Sequence, residues 1–287
     1  MTHRKQTIPD LSELPKFTPS NWIATSVRKH WFSPCLLSIV VAGSSQVASA
    51  ALEEVVVTAR KTAESLQDTP ISVTALSGDR LEDMGMSRIT KLQNVTPNLV
   101  FQNTPAYSGA GNNAAVYIRG VGQKDFVPTI DPGVGIYVDE VYLGRSAGAV
   151  LDMIDIQQVE ILRGPQGTLF GKNTVGGAIS ITTTKPNDEF GGKFDIKVGT
   201  DERRNIRGVL NVPLSDTLFA RASFGSLQQD GYVFRPFDGK DLGTQDTSMA
   251  RLALRWAPSD TFTADLSIYY YDDETNGPAL LITRVDE

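Results

Sequence analysis

Lys193-Phe194-Asp195-Ile196-Lys197-Val198 alternates charged and apolar side chains without a break. The rule continues downstream. Ile206, Gly208, Leu210 and Val212 alternate with Asn205, Arg207, Val209 and Asn211, and Leu218, Ala220, Ala222 and Phe224 with Phe219, Arg221 and Ser223. Ala250, Leu252, Leu254 and Trp256 flank Arg251 and Arg255; Phe262, Ala264, Leu266, Ile268 and Tyr270 alternate with Thr263, Asp265, Ser267 and Tyr271. A period of two sends successive side chains to opposite faces of a sheet, so five strands each carry one apolar face. For a single strand a soluble, half-buried sheet explains this better. The connections favour another fold. Ser215-Asp216-Thr217 recurs as Ser259-Asp260-Thr261 at short turns, while the intervening 228–247 connection is long and polar. Short turns at one end, a long loop at the other, and Trp256 and Tyr270 near strand ends describe the start of an antiparallel transmembrane β-barrel. A soluble sandwich is the competing architecture.

The rest of the chain fits export. Arg28 and Lys29 precede an apolar stretch at 31–43 and then Ala48-Ser49-Ala50, which reads as a cleavable secretory signal over 1–50. Pro34 argues against the competing buried helix. The leader is long, which leaves room for a true start downstream at a non-Met codon. Cys35, His3 and His30 are the only Cys and His residues among 287, and all precede position 51. A mature chain from Ala51 therefore has no means for disulfides, thiol nucleophiles, His triads or Cys/His metal sites, and we expect no catalytic residue, cofactor or metal. Cleavage takes the formal net charge from −6 to −9, with 22 Lys/Arg against 31 Asp/Glu remaining. That acidity argues against a nucleic-acid partner. No apolar run reaches the roughly 18 residues of a membrane-spanning helix, which leaves a barrel open.

Between signal and ladder the pattern is mixed. Residues 51–69 form a polar tether around Val55-Val56-Val57. Residues 70–187 hold strand-like runs at 71–76, 98–102, 115–119, 134–143, 158–162 and 178–183, and helical candidates at 79–84, 89–94 and 148–154, joined by Gly/Pro-rich segments. Two glycine motifs miss nucleotide chemistry. Gln166 stands where a phosphate loop ending at Gly171-Lys172 needs Gly, and Asn173 where it needs Ser or Thr. Gly109-Ala110-Gly111 lies between no apolar strand and no helix, so it lacks the context of a dinucleotide site. The acid pairs Asp139/Glu140 and Asp152/Asp155 read as solvated or wall-contacting groups rather than acid–base pairs.

Two motifs carry a resemblance to a known family. Leu52-Glu53-Glu54-Val55-Val56-Val57-Thr58-Ala59 resembles a TonB box, here an exposed extended segment ahead of any domain. Arg163-Gly164-Pro165-Gln166-Gly167-Thr168-Leu169-Phe170-Gly171-Lys172-Asn173-Thr174-Val175-Gly176-Gly177-Ala178-Ile179 resembles the closing signature of the plug domain of TonB-dependent outer-membrane receptors. Ile118-Arg119-Gly120 and 135–139 match plug strands, and the likeness runs in order over 52–287. Glycines at 164, 167, 171, 176 and 177 would allow the tight turns of a domain that fills a polar lumen. Arg163 is expected to bond acidic side chains of the wall.

The resemblance implies a mixed α/β plug (70–187) followed by the first strands (188–287) of a barrel that has about 22 strands in the family. It implies a Gram-negative outer-membrane receptor for energy-coupled uptake of a scarce ligand, first of all a ferric siderophore, with haem, cobalamin or oligosaccharide as alternatives. The partners implied are TonB with its inner-membrane energy-coupling complex, a small iron chelate and outer-membrane lipid. The coupling residues are Glu54, Val55, Val56, Val57, Thr58 and Ala59; the signature residues are Arg163, Gly164, Pro165, Gly167, Gly171, Gly176 and Gly177. Outward plug loops at 119–126, 143–148 and 164–170 would offer Arg119, Gln123, Lys124, Phe126 and Tyr142 to an anionic chelate. Five strands leave two open edges in lipid, so a fragment of a longer receptor is expected, with a soluble plug-like binding module or a non-functional fragment as rivals.

Overall fold

The computed structural model describes residues 56–58, 61–62, 64–103, 113–124, 129–144 and 154–277. The predicted leader, Glu54, Val55, Ala59, Phe126 and nearly all of the 148–154 helix candidate lie outside the described residues.

The N-terminal domain is built on a five-stranded sheet. Its strands are β3 (Val73–Ser77), β7 (Val134–Val138), β8 (Val141–Tyr142), β9 (Ile156–Arg163) and β10 (Gly177–Thr183), ordered β3-β9-β10-β7-β8. β7 and β10 run parallel; the other pairs are antiparallel. β3 leads into helix α1 (Gly78–Asp83), where Ser77 Oγ accepts the Arg80 backbone N–H at 3.3 Å and Asp79 sits in the first turn. Both features stabilise a helix N-terminus, by satisfying an orphan donor and by opposing the helix dipole. The second helical candidate forms a 3-10 helix, Ile89–Asn94. A three-stranded sheet follows: β4 (Leu99–Gln102), β5 (Ala115–Ile118) and β6 (Val121–Gln123).

Two apolar clusters cover the two faces of the larger sheet. On one, Ile136, Val159, Ile161, Ile179 and Ile181 meet Leu81, Ile89, Leu92, Phe101 and Ile118 from the helices and the smaller sheet. On the other, Tyr137, Leu162 and Ala178 meet Phe170, from the single turn α2 (Gly167–Phe170), and Val57. The run at 134–143, expected as one strand, is a hairpin that turns at Asp139 and Glu140, φ +45° and +69°. Two positive φ values in a two-residue loop match a tight hairpin turn that usually carries Asn or Gly. Neither stands here, so no break is legible at 139–140.

From Gly191 the chain forms a separate antiparallel meander, the wall: β11 (Gly191–Val198), β12 (Arg204–Pro213), β13 (Leu218–Gln229), β16 (Gln245–Ser259) and β17 (Phe262–Glu274). The connection between β13 and β16 contains a small hairpin, β14 (Val233–Arg235) with β15 (Lys240–Leu242). The long polar connection expected at 228–247 is therefore partly strand. Both long strands continue as polar pairs such as Gln228 with Asp246, where no apolar face marks the period. Register aligns Phe194, Gly208, Phe224, Ala250 and Tyr270 in one row, and Leu210, Ala222, Leu252 and Ile268 in the next. Their large side chains are exposed, on the face away from the N-terminal domain. Asn211, Ser223, Arg251 and Ala253 are buried on the opposite face. The period-two reading of the wall holds strand by strand.

Candidate functional site

The wall holds the N-terminal domain at the end of the sheet where the chain passes from β10 into β11. Asp155, at φ +54° just before β9, is buried there. Arg221 of β13 grips it bidentately, at 2.8 Å from Nε and 2.6 Å from Nη2, and Arg251 of β16 adds a contact at 3.3 Å. Arg251 also donates to the Thr184 carbonyl at 3.0 Å. Beside it, the Asp139 carboxylate accepts the Thr183 N–H at 2.8 Å and hydroxyl at 2.6 Å, and bonds the Tyr269 hydroxyl of β17. Asp155 and Asp139 thus also hold left-handed turns, which Asp tolerates better than most residues, while Glu82 of α1 meets Lys193 of β11. This reverses the expected polarity. Arg163 does not meet a described wall acid: its Nη2 lies 3.4 Å from the Val73 carbonyl, and its Nε is buried without a partner. At these contacts the wall contributes the cations and the N-terminal domain the carboxylates, whereas at Lys185–Asp265, 3.4 Å apart, the wall supplies the acid.

The 56–58 segment docks at the same end. β1 (Val56–Val57) pairs with β2 (Glu64–Ser65) and lies over β9. Val57 is 1 % exposed, inside the second apolar cluster with Leu162 and Phe170. Burying a valine contributes about 1.5–3 kcal/mol. Gln158 Nε2 donates to the Val56 carbonyl at 3.0 Å, while the Thr58 N–H and hydroxyl donate to Glu160 Oε1 at 2.6 and 3.1 Å. Lys61 lies over the Phe170 ring, 4.9 Å from its centroid. The segment expected as an exposed tether is therefore seated on the domain, because its one apolar side chain finds an apolar face and its backbone finds polar partners. Glu160 was not anticipated from sequence; its partner Thr58 is 102 positions away, and no local pattern signals such a pair.

The opposite end carries the signature turn. Gly164 N–H bonds the Gly176 carbonyl and Gly176 N–H the Gly133 carbonyl, which closes the 164–176 loop. Gly164 has φ +101° and Gly177 φ +151°, and a Cβ at Gly177 would fall 2.2 Å from the Leu162 carbonyl oxygen. Glycine is required there by both conformation and space. The Gly167–Phe170 part of this loop turns back over the sheet rather than outward: the Tyr137 hydroxyl donates to the Phe170 carbonyl at 2.5 Å, and the two rings meet edge to face at 5.1 Å.

The four described residues among those expected at the ligand do not form one group. Arg119 is exposed at the β5–β6 turn beside Gly164. Gln123 ends β6, where its Nε2 donates to the Ile130 carbonyl at 3.2 Å, and Lys124 follows it. Gln123 lines a small hollow with Val134, Ile136 and Leu143 on the first face of the large sheet. Tyr142 belongs to the second face. Its ring lies 5.3 Å from Tyr137 and its hydroxyl accepts from Asn173 Nδ2 at 2.8 Å. Tyr142, expected at the ligand, here ties β8 to the signature loop.

Comparison with known proteins places these features. The family described as the TonB-dependent Receptor Plug Domain matches residues 65–178. A pesticin receptor of Yersinia enterocolitica is 34% identical over 230 residues, which are 78% of this chain and 32% of that receptor. The crystal structure of the ferric yersiniabactin uptake receptor of Yersinia pestis shares 32% identity and superposes with a TM-score of 0.59, over 66% of this chain and 29% of its own. The pyoverdine outer membrane receptor of Pseudomonas aeruginosa superposes with a TM-score of 0.62 at 18% identity, over 76% of this chain and 30% of its own, a likeness of fold. The chain spans about a third of the length of the curated relatives it matches.

Proposed function

We propose that this chain, which carries the plug domain of the TonB-dependent receptors joined to strands of their barrel wall, serves the energy-coupled uptake of a ferric siderophore across a Gram-negative outer membrane. The observation that carries this reading is the docked strand Val56–Val57, seated on a plug that is itself bonded to a wall with an apolar outer face. The uptake receptor for ferric yersiniabactin, at 32% identity, supports an iron chelate as cargo. In this reading the end of the plug near Asp155 faces the periplasm and the end near Arg119 and Gly164 faces outward. Arg119, Gln123 and Lys124 then supply charge and hydrogen bonds to an anionic chelate, and Phe126 an aromatic face. TonB takes the 54–59 segment by adding a strand to its backbone. Four to six such hydrogen bonds at about 0.5–1.5 kcal/mol each suffice for a transient grip. A pull driven by the proton-motive force then displaces part of the plug. No covalent step is needed, so the role is transport and not catalysis.

The test uses the soluble C-terminal domain of TonB as bait. The protein should be captured by it, and Val56→Pro, which removes a backbone donor and fixes φ, should abolish capture while leaving ferric-chelate binding intact. Equal capture of the proline variant would reduce the segment to a linker.

A further inference from the structure

The Val56 carbonyl and the Thr58 N–H, two residues apart, both meet side chains of β9, while Val56 and Val57 pair in register with Ser65 and Glu64 of β2. Side chains rather than a strand meet this edge of the segment. Gln158 Nε2 donates to the Val56 carbonyl, and the Thr58 N–H donates to Glu160 Oε1. Gln158 Nε2 donates to the same Glu160 oxygen at 2.9 Å, which locks the two side chains together. A carbonyl and an N–H two residues apart are the groups an incoming strand would take. We propose that Gln158 and Glu160 form a side-chain catch on this edge, a pair of positioning residues that must let go before a partner strand can add there, and that the charge on Glu160 keeps the catch weak enough to open. The purpose of the catch rests on the coupling function proposed above; its geometry does not.

The charge argument follows from burial. Glu160 is 2 % exposed, and the three donors that reach it, from Thr58 N–H, Thr58 hydroxyl and Gln158, all converge on Oε1. Loss of water raises its pKa above the ordinary carboxylate value, against the lowering effect of the Thr58 bonds and of Lys61. Lys61, from the docked segment, is the facing cation, and it is shared with Glu140 of the β7–β8 turn at 3.6 Å. The flanking strands place Ala75 of β3 and Ser180 of β10 opposite Glu160, and neither brings a charge. Beyond Ser180 stands Tyr137, whose hydroxyl is bonded to the Phe170 carbonyl and whose own pKa is raised by burial. Undocking opens Glu160 to water and returns it toward an ordinary carboxylate. The docked form therefore holds a proton more tightly than the released form. Docking is strongest in acid and weakens as pH rises through the docked pKa. Once Glu160 is ionised the hydrogen bonds hold the segment and the buried charge opposes them.

Hydrogen–deuterium exchange of the peptide spanning 56–58 tests this in the full chain in detergent, with no partner present and each rate corrected for intrinsic pH dependence. Wild-type protection should rise from about pH 8 to about pH 5, tenfold for each pKa unit that separates docked from released Glu160. Glu160→Gln keeps an acceptor and removes the charge. It should be protected at high pH as the wild type is in acid, and show no pH trend. Gln158→Ala should lower protection at every pH, with exchange of 177–183 unchanged as the control for folding. A Glu160→Gln protein no more protected than wild type at high pH would overturn the charge argument, as would a flat wild-type profile, which needs no variant. Unaltered protection in Gln158→Ala would overturn the catch. Because TonB is absent, failed capture by its C-terminal domain would remove the coupling function and leave these exchange results standing.

Discussion

Asp155 concentrates more of the plug–wall contact than any other single residue described above. Its carboxylate is 3 % exposed and neutralised by Arg221 and Arg251, the latter equally buried. Removing one partner of such a pair leaves a charge in poor solvent, which costs about 3–5 kcal/mol. Asp155→Ala should therefore lower the unfolding free energy of the plug in the full chain, read from urea denaturation, by that amount, and Asp155→Asn, which keeps the left-handed turn and an acceptor, by less. Adding Arg251→Met to Asp155→Ala should recover part of the loss, since the more buried of the two stranded guanidiniums is then gone. A full-sized loss in the double variant would mean that the turn, not the ion pair, is what Asp155 supplies. None of these partners was legible in advance. Asp155 and its arginines lie 66 and 96 positions apart, and only the general placement of acids at the wall followed from sequence. Arg163 was misread for the same reason: an arginine at a glycine-rich turn says that a partner is needed, not which surface provides it.

At the scale of elements, the sequence was most legible where one physical rule dominates. Each wall strand lies between two different solvents, so period two survives in Phe194, Ile196 and Val198 and again in Leu266, Ile268 and Tyr270, all exposed on one face. Inside the plug the strands are short and covered on both faces, and the signal fades. β6, with Val121-Gly122-Gln123, passed unread, and the β7–β8 turn hid behind Asp139-Glu140. The small α2 turn shows the same limit, since its place under Tyr137 depends on a residue 33 positions away. The wall's outer face has a direct test. Leu252 sits at the centre of its row between Ala222 and Ile268. Arginine at the middle of a bilayer costs a barrel about 2–4 kcal/mol, so Leu252→Arg should reduce the fraction that inserts into lipid vesicles, read by heat-modifiable migration on gels. Unchanged insertion would show that this face does not meet lipid.

The whole molecule joins a domain with two apolar clusters of its own to a sheet whose outer face has none to cover it. Expressed alone, 51–187 should sediment as a monomer in detergent-free buffer, whereas 51–287 should require detergent, because Phe194, Leu210, Phe224, Leu252, Trp256 and Ile268 would otherwise stand in water. A soluble, monomeric 51–287 would remove the membrane reading of the wall. The docked strand has a further consequence in time. Thr58 and the Glu160 that receives it are 102 positions apart, and a nascent chain emerges amino end first. At a synthesis pace of about 5–20 residues per second, the segment waits roughly 5–20 s for its cradle, against microseconds for a hairpin to close. If the segment recruits TonB as proposed, a newborn chain would show, throughout that interval, a recruiting signal with no cargo site behind it. Maturation, on this schedule, begins with the signal on and ends by switching it off.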